Sequence, residues 1–417
     1  MGTGTFVKEN PYAGPRTNER VKARKRGMDV PLLMTMVALL VFGLIMMFSA
    51  SWDFSLSVYD DPMYMFNRQV MWMGLGIFGA FVLSSFDYHH WRKLVVFAMA
   101  ATILLLIGVL LYSEIRFNAK RSFFEGSIQP SELAKLISII YLGVWLYSKR
   151  GNLSSIQLGL IPLGVILGIV CGLIYLQPDL SAAGTVLILG GLMFFLSGGE
   201  LKQIILLLVL ALVVGALVVQ ASPTGQERVD DFIIGIKDPT QASYHVRRSF
   251  EAIVNGGIFG VGIGRSETKM LGLPVPPTDS IFAVVTEELG LIGSVFLMGL
   301  YAVFVWRGWV IARRAPDMLG TILASGMTIW IGIEALINMA VMVGLMPFAG
   351  NALPFISAGG SNMVVSLAAV GIMLNISRQT GASIGIENDW RSFGAVVDLR
   401  WRNRRRRLSR ARRSERA

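Results

Sequence analysis

One acidic residue stands where a long polar segment meets an apolar stretch. The sequence Leu-Pro-Val-Pro-Pro-Thr-Asp-Ser occupies residues 273–280, and an apolar run follows it. An ionisable side chain at the edge of apolar sequence is a candidate functional residue, so Asp279 is a candidate site residue. The prolines stiffen the approach to it. Asp is also a good helix-capping residue, and Asp279 could simply begin the next helix.

Four cations precede Asp279 in the same polar segment. They are Arg247, Arg248, Arg265 and Lys269. Guanidinium and ammonium groups bind phosphate oxygens through charge-assisted hydrogen bonds. The segment therefore predicts a phosphate-binding site beside a carboxylate.

A second pair of charges lies at the start of another apolar stretch. Glu132 and Lys135 follow Pro130, and proline favours the first turn of a helix. Residues three apart share one face of a helix, so these two can form an ion pair. The pair could steady the helix, or it could help to bind an anionic head group; the spacing leaves both interpretations open.

Two further acidic residues interrupt apolar sequence. Asp179 follows Pro178 between two apolar runs, where it could bind a ligand or cap the second helix. Glu334 lies in the middle of an apolar run and must find a partner inside the protein, because an unpaired charge there is costly. Asn338 lies one turn further on the same face, which favours a structural hydrogen bond.

Membrane helices are the elements that must position these residues. The chain has 417 residues, of which 53% are hydrophobic and only 16% charged, a composition that makes a soluble enzyme improbable. The apolar residues cluster in runs long enough to cross ~30 Å of hydrocarbon. We therefore predict an all-α polytopic membrane protein with ten spans, at 31–50, 69–86, 94–112, 131–147, 156–176, 181–197, 201–220, 283–306, 319–345 and 362–377.

The distribution of Lys and Arg predicts the orientation of these spans. With both termini placed inside, 27 of the 38 basic residues fall on the inner face, as the positive-inside rule requires. Residues 1–28 and 378–417 then form basic cytoplasmic tails on either side of a membrane domain, 29–377. The formal charge of +11 resides largely in these tails, which favours contact with anionic lipid over nucleic acid. Residues 221–282 become a large outer loop between spans seven and eight.

Other kinds of site find little support. The single Cys171 excludes a disulfide framework or thiolate cluster, and three scattered histidines make a poor metal site. The glycine-rich run 256–264 superficially contains a nucleotide-loop pattern, but it lacks the strand and helix that such a loop requires. We expect these glycines to allow close packing or a bend.

Five motifs, in order along the chain, resemble the SEDS family of bacterial cell-wall synthesis proteins, which includes FtsW, RodA and SpoVE. They are Ser-Ile-Gln-Pro-Ser-Glu-Leu-Ala-Lys at 127–135, Gln-Pro-Asp-Leu at 177–180, Tyr-His at 244–245 with the glycines of 256–262, Pro-Thr-Asp-Ser-Ile-Phe-Ala-Val-Val-Thr-Glu-Glu-Leu-Gly at 277–290, and Leu-Pro-Phe-Ile-Ser-Ala-Gly-Gly-Ser at 353–361. The segment from Gly262 to Lys269 and the long basic tails are more similar to FtsW than to RodA.

The resemblance implies a peptidoglycan glycosyltransferase that polymerises lipid II at the outer leaflet of the bacterial inner membrane, in cell division or other cell-shape synthesis. It implies that Asp279 is the catalytic base and that undecaprenyl diphosphate leaves. The implied substrate-binding residues are Glu132, Lys135, Asp179, Arg247, Arg248, Lys269 and Ser361. A divalent cation, Mg²⁺ or Mn²⁺, could assist, and no organic cofactor is expected.

The resemblance also implies partners and leaves two other functions open. A class B penicillin-binding protein would supply transpeptidase activity, other division proteins would assemble with the pair, and the undecaprenyl-linked glycan strand would be the second substrate. The alternatives are a lipid II flippase or transporter, in which intramembrane polar groups would mark a path across the bilayer, and a noncatalytic division scaffold.

Overall fold

A computed structural model describes residues 27–112, 128–270 and 272–380. The predicted basic tails therefore lie almost wholly outside the described residues, as does most of the link between the third and fourth predicted spans. Twelve α-helices make up most of the regular structure, with short 3₁₀ or π turns between some of them. The helices are α1 (Val30–Tyr59), α2 (Tyr64–Ser85), α3 (Trp91–Tyr112), α4 (Pro130–Lys149), α5 (Ile161–Tyr175), α6 (Leu180–Leu196), α7 (Leu201–Ala221), α8 (Pro223–Lys237), α9 (Tyr244–Gly256), α10 (Ile281–Arg314), α11 (Met318–Met342) and α12 (Gly360–Gln379).

A helix occupies each of the ten predicted spans, but not all ten qualify as spans by length and composition. Within the described residues, seven helices are long and apolar enough to cross a membrane: α1, α3, α5, α7, α10, α11 and α12, with α3 and α5 counted together with the short turns that precede them. Helix α6 is apolar but has only 17 residues. The protein is therefore an all-helical membrane protein, and the count of ten spans stays a prediction.

Several helices extend beyond their apolar windows. Helix α1 continues through Tyr59, well past the predicted end at residue 50, and stops where Asp60 adopts a left-handed conformation (φ 56°). Helix α10 has 34 residues and runs on to Arg314. Hydropathy reports where a chain is apolar, whereas backbone hydrogen bonding continues until a capping conformation ends the helix.

Helices α11 and α12 form the centre of the bundle, and α7 lies at its edge. In their most apolar windows, 72% of α11 and 83% of α12 residues are buried, against 6% for α7. Bonds between distant elements define one end of the bundle. There Asp29 before α1 forms an ion pair with Arg307 of α10 at 2.6 Å and donates its backbone N–H to Ser377 of α12. We call this the Arg307 end and the opposite one the Asp279 end.

The long segment 221–282 is largely helical and folds onto the Asp279 end. Helices α8 and α9 occupy much of it, and the glycine run expected to allow close packing follows α9. We call residues 256–263 the glycine insert. A side chain on Gly260 would lie 2.2 Å from the backbone oxygen of Glu288, so only glycine permits this approach to α10.

The glycine insert interrupts α10 at Gly290, which has φ 66° and ψ −164°. The helical hydrogen bonds lost there are replaced by bonds to the insert. Val261 and Gly262 donate their N–H groups to the carbonyls of Glu287 and Glu288, both at 3.0 Å. In return, Leu291 and Ile292 donate to the carbonyls of Gly257 and Ile258, at 3.0 and 3.3 Å. These four backbone bonds replace helical bonds at the break, which a buried helix interruption requires.

Candidate active site

Asp279 lies in a turn whose backbone is fixed by two distant parts of the chain. The amide of Asn338 in α11 donates to the Asp279 carbonyl at 2.9 Å and to the Asn351 carbonyl at 2.6 Å. The hydroxyl of Ser357 donates to the Thr278 carbonyl at 2.7 Å. These bonds join the candidate base to the segment before α12, so the two motifs at 277–290 and 353–361 form one structural unit.

Further bonds join the two segments of this unit, 277–279 and 351–358. Ala358 donates its N–H to the Pro277 carbonyl at 2.7 Å, and Leu353 donates its N–H to the Ser357 hydroxyl at 2.7 Å. Ser357 therefore uses its hydroxyl both as donor and as acceptor, which only Ser or Thr can do at this size.

The side chain of Asp279 is half-buried next to Gly350. A methyl group on Gly350 would lie 2.9 Å from Oδ2 of Asp279, so a larger residue there would crowd the carboxylate. Helix α10 begins at Ile281 with Ser280 at its cap position, and the Ser280 hydroxyl donates to the Pro274 carbonyl at 2.9 Å. Asp279 thus lies one residue before the cap, and this position disfavours the capping interpretation of its carboxylate.

Glu132 and Lys135 form the ion pair expected from their spacing, and Glu334 of α11 joins it. The Lys135 ammonium donates to Glu132 at 2.9 Å and also contacts the Glu334 carboxylate. Asn362 of α12 donates to the other oxygen of Glu132 at 3.0 Å. All three charged groups are buried, and Lys135 lies 5.7 Å from the Trp330 ring centre. One ammonium faces two carboxylates where α4, α11 and α12 meet.

Asp179 caps α6 and holds the start of α4. Its Oδ1 accepts from the N–H of Ala182 at 3.1 Å, which is the capping interaction that the sequence left as one alternative. Its Oδ2 accepts from Gln129 at 2.8 Å and from Ser131 at 3.0 Å. Both oxygens of this buried carboxylate are therefore engaged within the protein.

Ser361 ties the first turn of α12 to the same region. Its hydroxyl accepts from the N–H of Gln129 at 3.0 Å, immediately before α4. Together with the bond from Asn362 to Glu132, this places the start of α12 against the 127–135 motif. The segment 351–362 consequently contacts both the Asp279 turn and the buried ion cluster, a relation that no local spacing in the sequence could indicate.

Lys269 lies in a buried ion pair away from solvent. Its ammonium contacts the Glu288 carboxylate of α10 at 3.2 Å and the Ser49 carbonyl of α1 at 3.1 Å. The Ser49 hydroxyl donates to Glu288 at 2.6 Å. Only 3% of the Lys269 side chain is exposed, so its charge serves to join the 264–269 segment to α1 and α10. The phosphate-binding role expected for Lys269 stays a prediction.

The remaining predicted cations lie on more accessible surfaces. Arg247 is exposed and lies 5.5 Å from the ring centre of Tyr244. Arg248 forms an ion pair with Glu251 at 2.5 Å and donates to the Tyr244 hydroxyl. Arg265 is exposed at the end of the glycine-rich run. Binding of an anionic ligand by Arg247 and Arg248 stays a prediction.

One cation of α8 was not singled out from the sequence. Arg228 of α8 lies 5.6 Å from the ring centre of Phe348, two residues from Gly350. The His245 ring stacks on the same Phe348 ring, with centroids 4.0 Å apart. Burial, and secondarily the positive charge of Arg228, lowers the pKa of His245 to about 4, so this ring is neutral at pH 7. Nothing in the sequence around Arg228 distinguishes it from other loop charges.

The described residues provide no protein-only metal site. Among them, no group of three or more His, Cys, Asp or Glu side chains is arranged to hold a metal ion. A divalent cation at Asp279 would have one carboxylate from the protein and would need its other ligands from a substrate. Such an arrangement is usual for Mg²⁺ with phosphates, but the residues here do not fit a resident metal.

Comparisons with known proteins agree with the motifs. Residues 30–382 match the FtsW/RodA/SpoVE model, described as cell cycle proteins. The chain is similar to stage V sporulation protein E of Bacillus subtilis (36% identity over 85% of this chain and 98% of that one). It is also similar to the probable peptidoglycan glycosyltransferase FtsW of Trichlorobacter lovleyi, with 35% identity over 84% of this chain and 93% of that one.

Two solved structures share the fold. One is a chain of a peptidoglycan synthase complex that coordinates polymerization and crosslinking. It aligns with a TM-score of 0.69 and 28% identity, and the alignment covers 85% of this chain and 98% of that one. The rod shape determining protein RodA of Thermus thermophilus aligns with a TM-score of 0.63 and 26% identity, covering 84% and 97%. The motifs, the fold and a match over most of the chain agree: the protein belongs to the FtsW/RodA/SpoVE family.

Proposed function

We propose that this protein is a peptidoglycan glycosyltransferase that polymerises lipid II, with Asp279 as the general base. The observation that carries the proposal is the fixed Asp279 turn, bonded to Asn338 and Ser357 and joined to a second family motif. Relatives of about 35% identity that carry the name probable peptidoglycan glycosyltransferase support the same class of reaction.

The reaction requires one proton transfer and one displacement. Asp279 takes the proton from the 4-hydroxyl of the acceptor sugar as that oxygen attacks the anomeric carbon of the growing strand. The new C–O bond forms while the bond from the anomeric carbon to the diphosphate breaks, and undecaprenyl diphosphate leaves with the electron pair. Attack opposite the leaving group inverts the α-linked centre to β. A base held in position typically contributes about 10²–10⁴ in rate.

The leaving diphosphate needs positive charge. Arg247, Arg248 and Arg265 lie on accessible parts of the segment that covers the Asp279 end, and guanidinium groups match phosphate oxygens well. Lys269 acts indirectly, because its buried pair with Glu288 fixes the segment that carries Arg265. A divalent cation would enter with the diphosphate, and no step of the proposed mechanism passes through it.

Four polar residues in the interior of the bundle are proposed to position the substrate site: Glu132, Lys135, Asp179 and Ser361. Burial of the Lys135 and Asp179 side chains favours this positioning role over direct contact with a head group. Asp179 aligns α4 with α6, and Ser361 aligns α12 with α4. The site therefore depends on a rigid, polar interior, as preorganised catalysis does.

The proposed setting is a bacterial inner membrane, crossed ten times, with both termini cytoplasmic and the Asp279 end outside. The excess of Lys and Arg at the opposite end and in the tails supports this orientation. Reporter fusions after residue 250 and at the C-terminus should report outside and inside respectively; an external C-terminus would contradict the orientation.

A class B penicillin-binding protein is the proposed partner, at the septum or another site of wall synthesis. The similarity to a chain of a peptidoglycan synthase complex supports it. Copurification from native membranes should recover a transpeptidase of this class with the full-length protein, and its consistent absence would count against the assignment.

The test of the reaction is polymerisation of lipid II by the purified protein carrying Asp279→Asn. Asparagine keeps the size and the backbone bonds of the turn but loses basicity, so we expect a rate lower by about 10²–10⁴ with stability unchanged. Asp238→Asn is the matched control, because Asp238 also lies in the 221–282 segment and caps its own turn through Thr240 at 3.0 Å. That variant should polymerise at the wild-type rate.

Other outcomes separate the rival functions. A folded Asp279→Asn protein with full activity would remove Asp279 as the base. A wild-type protein that moves lipid II between leaflets of vesicles but never polymerises it would favour a flippase. A protein with neither activity that still assembles with division proteins would favour a scaffold.

A further inference from the structure

We propose that the glycine insert, residues 256–263, enters the membrane at the Asp279 end and contacts lipid acyl chains beside α10. The inference concerns how the loop is anchored and does not depend on the reaction. It starts from the side chains of Ile258 and Phe259, which are 59% and 81% exposed although both are strongly apolar. Exposed aromatic and aliphatic side chains in a group mark a surface that is covered by another apolar phase.

The composition of the insert suits hydrocarbon. The sequence carries no charged residue between Glu251 and Arg265, although the surrounding loop is rich in charge. Val254 and Ile263, on either side of the tip, are also exposed. A loop tip of this kind in water would be expected to carry polar side chains, whereas interfacial segments present Phe and Leu-like residues to lipid.

Several backbone groups of the insert are paired with protein, as entry into a membrane requires. Non-helical backbone at membrane depth is tolerated only where its polar groups are satisfied by protein. The carbonyls of Gly257 and Ile258 accept from α10, and the N–H groups of Val261 and Gly262 donate to it. The N–H of Gly260 donates to the Gly256 carbonyl at 2.8 Å. These groups therefore need no water.

The depth of the insert follows from the length of α10. Trp306 is exposed and Arg307 is paired with Asp29, so this tryptophan and arginine mark the hydrocarbon boundary at the Arg307 end. At 1.5 Å per residue, the unbroken part of α10 from Leu291 to Arg307 spans about 24 Å of the ~30 Å of hydrocarbon. The insert bonds to α10 at Leu291, which therefore lies about 6 Å inside the opposite boundary. Helix tilt would move the boundary further outward and deepen the insert.

The exposure of α10 itself changes at the same level. Residues 281–288 are all buried, whereas Leu291, Ile292, Val295 and Phe296 are exposed in the pattern of a lipid-facing helix. Ile258 is bonded through its carbonyl to Ile292, so the exposed tip continues the lipid-facing surface of the helix. Lipid, and not solvent or a protein groove, is therefore the occupant that the surface fits.

Spin-label accessibility tests the proposal in the full-length protein. Cys171 is the single cysteine, so Cys171→Ala gives a background without thiols. A nitroxide is attached at Phe259→Cys, or independently at Ile258→Cys, and the protein is placed in phosphatidylcholine–phosphatidylglycerol vesicles. Collisions with oxygen, which concentrates in hydrocarbon, are compared with collisions with a water-soluble nickel chelate. Phe296→Cys is the lipid-facing reference, and Glu267→Cys, an exposed polar position of the same loop, is the aqueous reference.

We expect the ratio of oxygen to nickel collisions at residues 258 and 259 to match Phe296→Cys and to exceed Glu267→Cys several-fold. Ratios equal to that of Glu267→Cys at both positions would place the tip in water and overturn the proposal. Labels shielded from both reagents would also overturn it, because they would show the tip covered by protein. Both substituted side chains are exposed, so neither change removes packing on which folding depends.

Discussion

The buried charge cluster of α4, α11 and α12 allows a quantitative test of the structure. Lys135 is the only ammonium recorded in contact with Glu132 and Glu334 within the described residues. The change Lys135→Met keeps the length of the side chain but leaves two carboxylates facing each other without a cation. Breaking a buried pair in this way costs about 3–5 kcal/mol, a large fraction of the stability of most proteins.

The structure predicts an order among the variants of this cluster. Glu132→Gln retains an oxygen to accept from Asn362 and leaves one carboxylate for Lys135, so we expect a loss near 1 kcal/mol. Combining Lys135→Met with Glu132→Gln and Glu334→Gln removes every charge of the cluster. Because neutral replacement of a buried ion pair is often tolerated, the triple variant should recover most of what Lys135→Met loses.

The assay is the free energy of unfolding of purified protein in mixed micelles, followed as denaturing detergent is increased. Lys149→Met is the matched control, because Lys149 lies on the same helix but is exposed, and its replacement should change stability by no more than about 0.5 kcal/mol. If Lys135→Met unfolded with the same free energy as Lys149→Met, or if the triple variant were less stable than Lys135→Met, the assignment of a compensated buried cluster would be refuted.

Two further predictions concern the segment that covers the Asp279 end. Gly290→Ala should destabilise the protein by several kcal/mol, because φ is 66° at Gly290 and a methyl group would lie 2.4 Å from the Ile258 carbonyl oxygen. The control is Gly299→Ala on the same helix, where a methyl group meets nothing within 4 Å, so the same unfolding assay should show no change in stability. The His245 pKa of about 4 lies below the value in the unfolded chain, so docking of α9 should be strongest above about pH 6.5 and should weaken as pH falls toward 4. Hydrogen exchange of the α9 amides should show this pH dependence. The variant His245→Phe, which can still stack on Phe348, should abolish the pH dependence.

Local patterns in the sequence predicted the parts of the site that depend on local structure. The three-residue spacing of Glu132 and Lys135 predicted a pair that forms on one turn of α4. Helix periodicity alone suffices for such a prediction, since both residues belong to one element. The same holds for the capping position of Asp179, which bonds to Ala182 only three residues away.

Contacts between distant elements could not be read from a single sequence. Glu334 was expected to need a partner, but its partner Lys135 is 199 residues away, and no spacing rule connects them. Lys269 appeared to be one of four similar loop cations. Its burial against Glu288 depends on how the loop returns to α10, which tertiary packing decides. The glycines of 256–262 indicated close approach, yet the break at Gly290 that receives them shows no local signal beyond a single glycine in an apolar helix.

The bonds between the Asp279 turn and the segment before α12 also bear on the order of synthesis. A membrane protein emerges from the ribosome N-terminus first. The turn at 277–279 is complete only when Ser357 and Ala358 are available to bond it, and Asn362 must reach Glu132 of α4. A nascent chain that has inserted α1 to α11 therefore still lacks the finished site. The segment before the last helix and the helix itself supply the missing bonds, so we expect chains truncated before residue 353 to lack a fixed Asp279 turn.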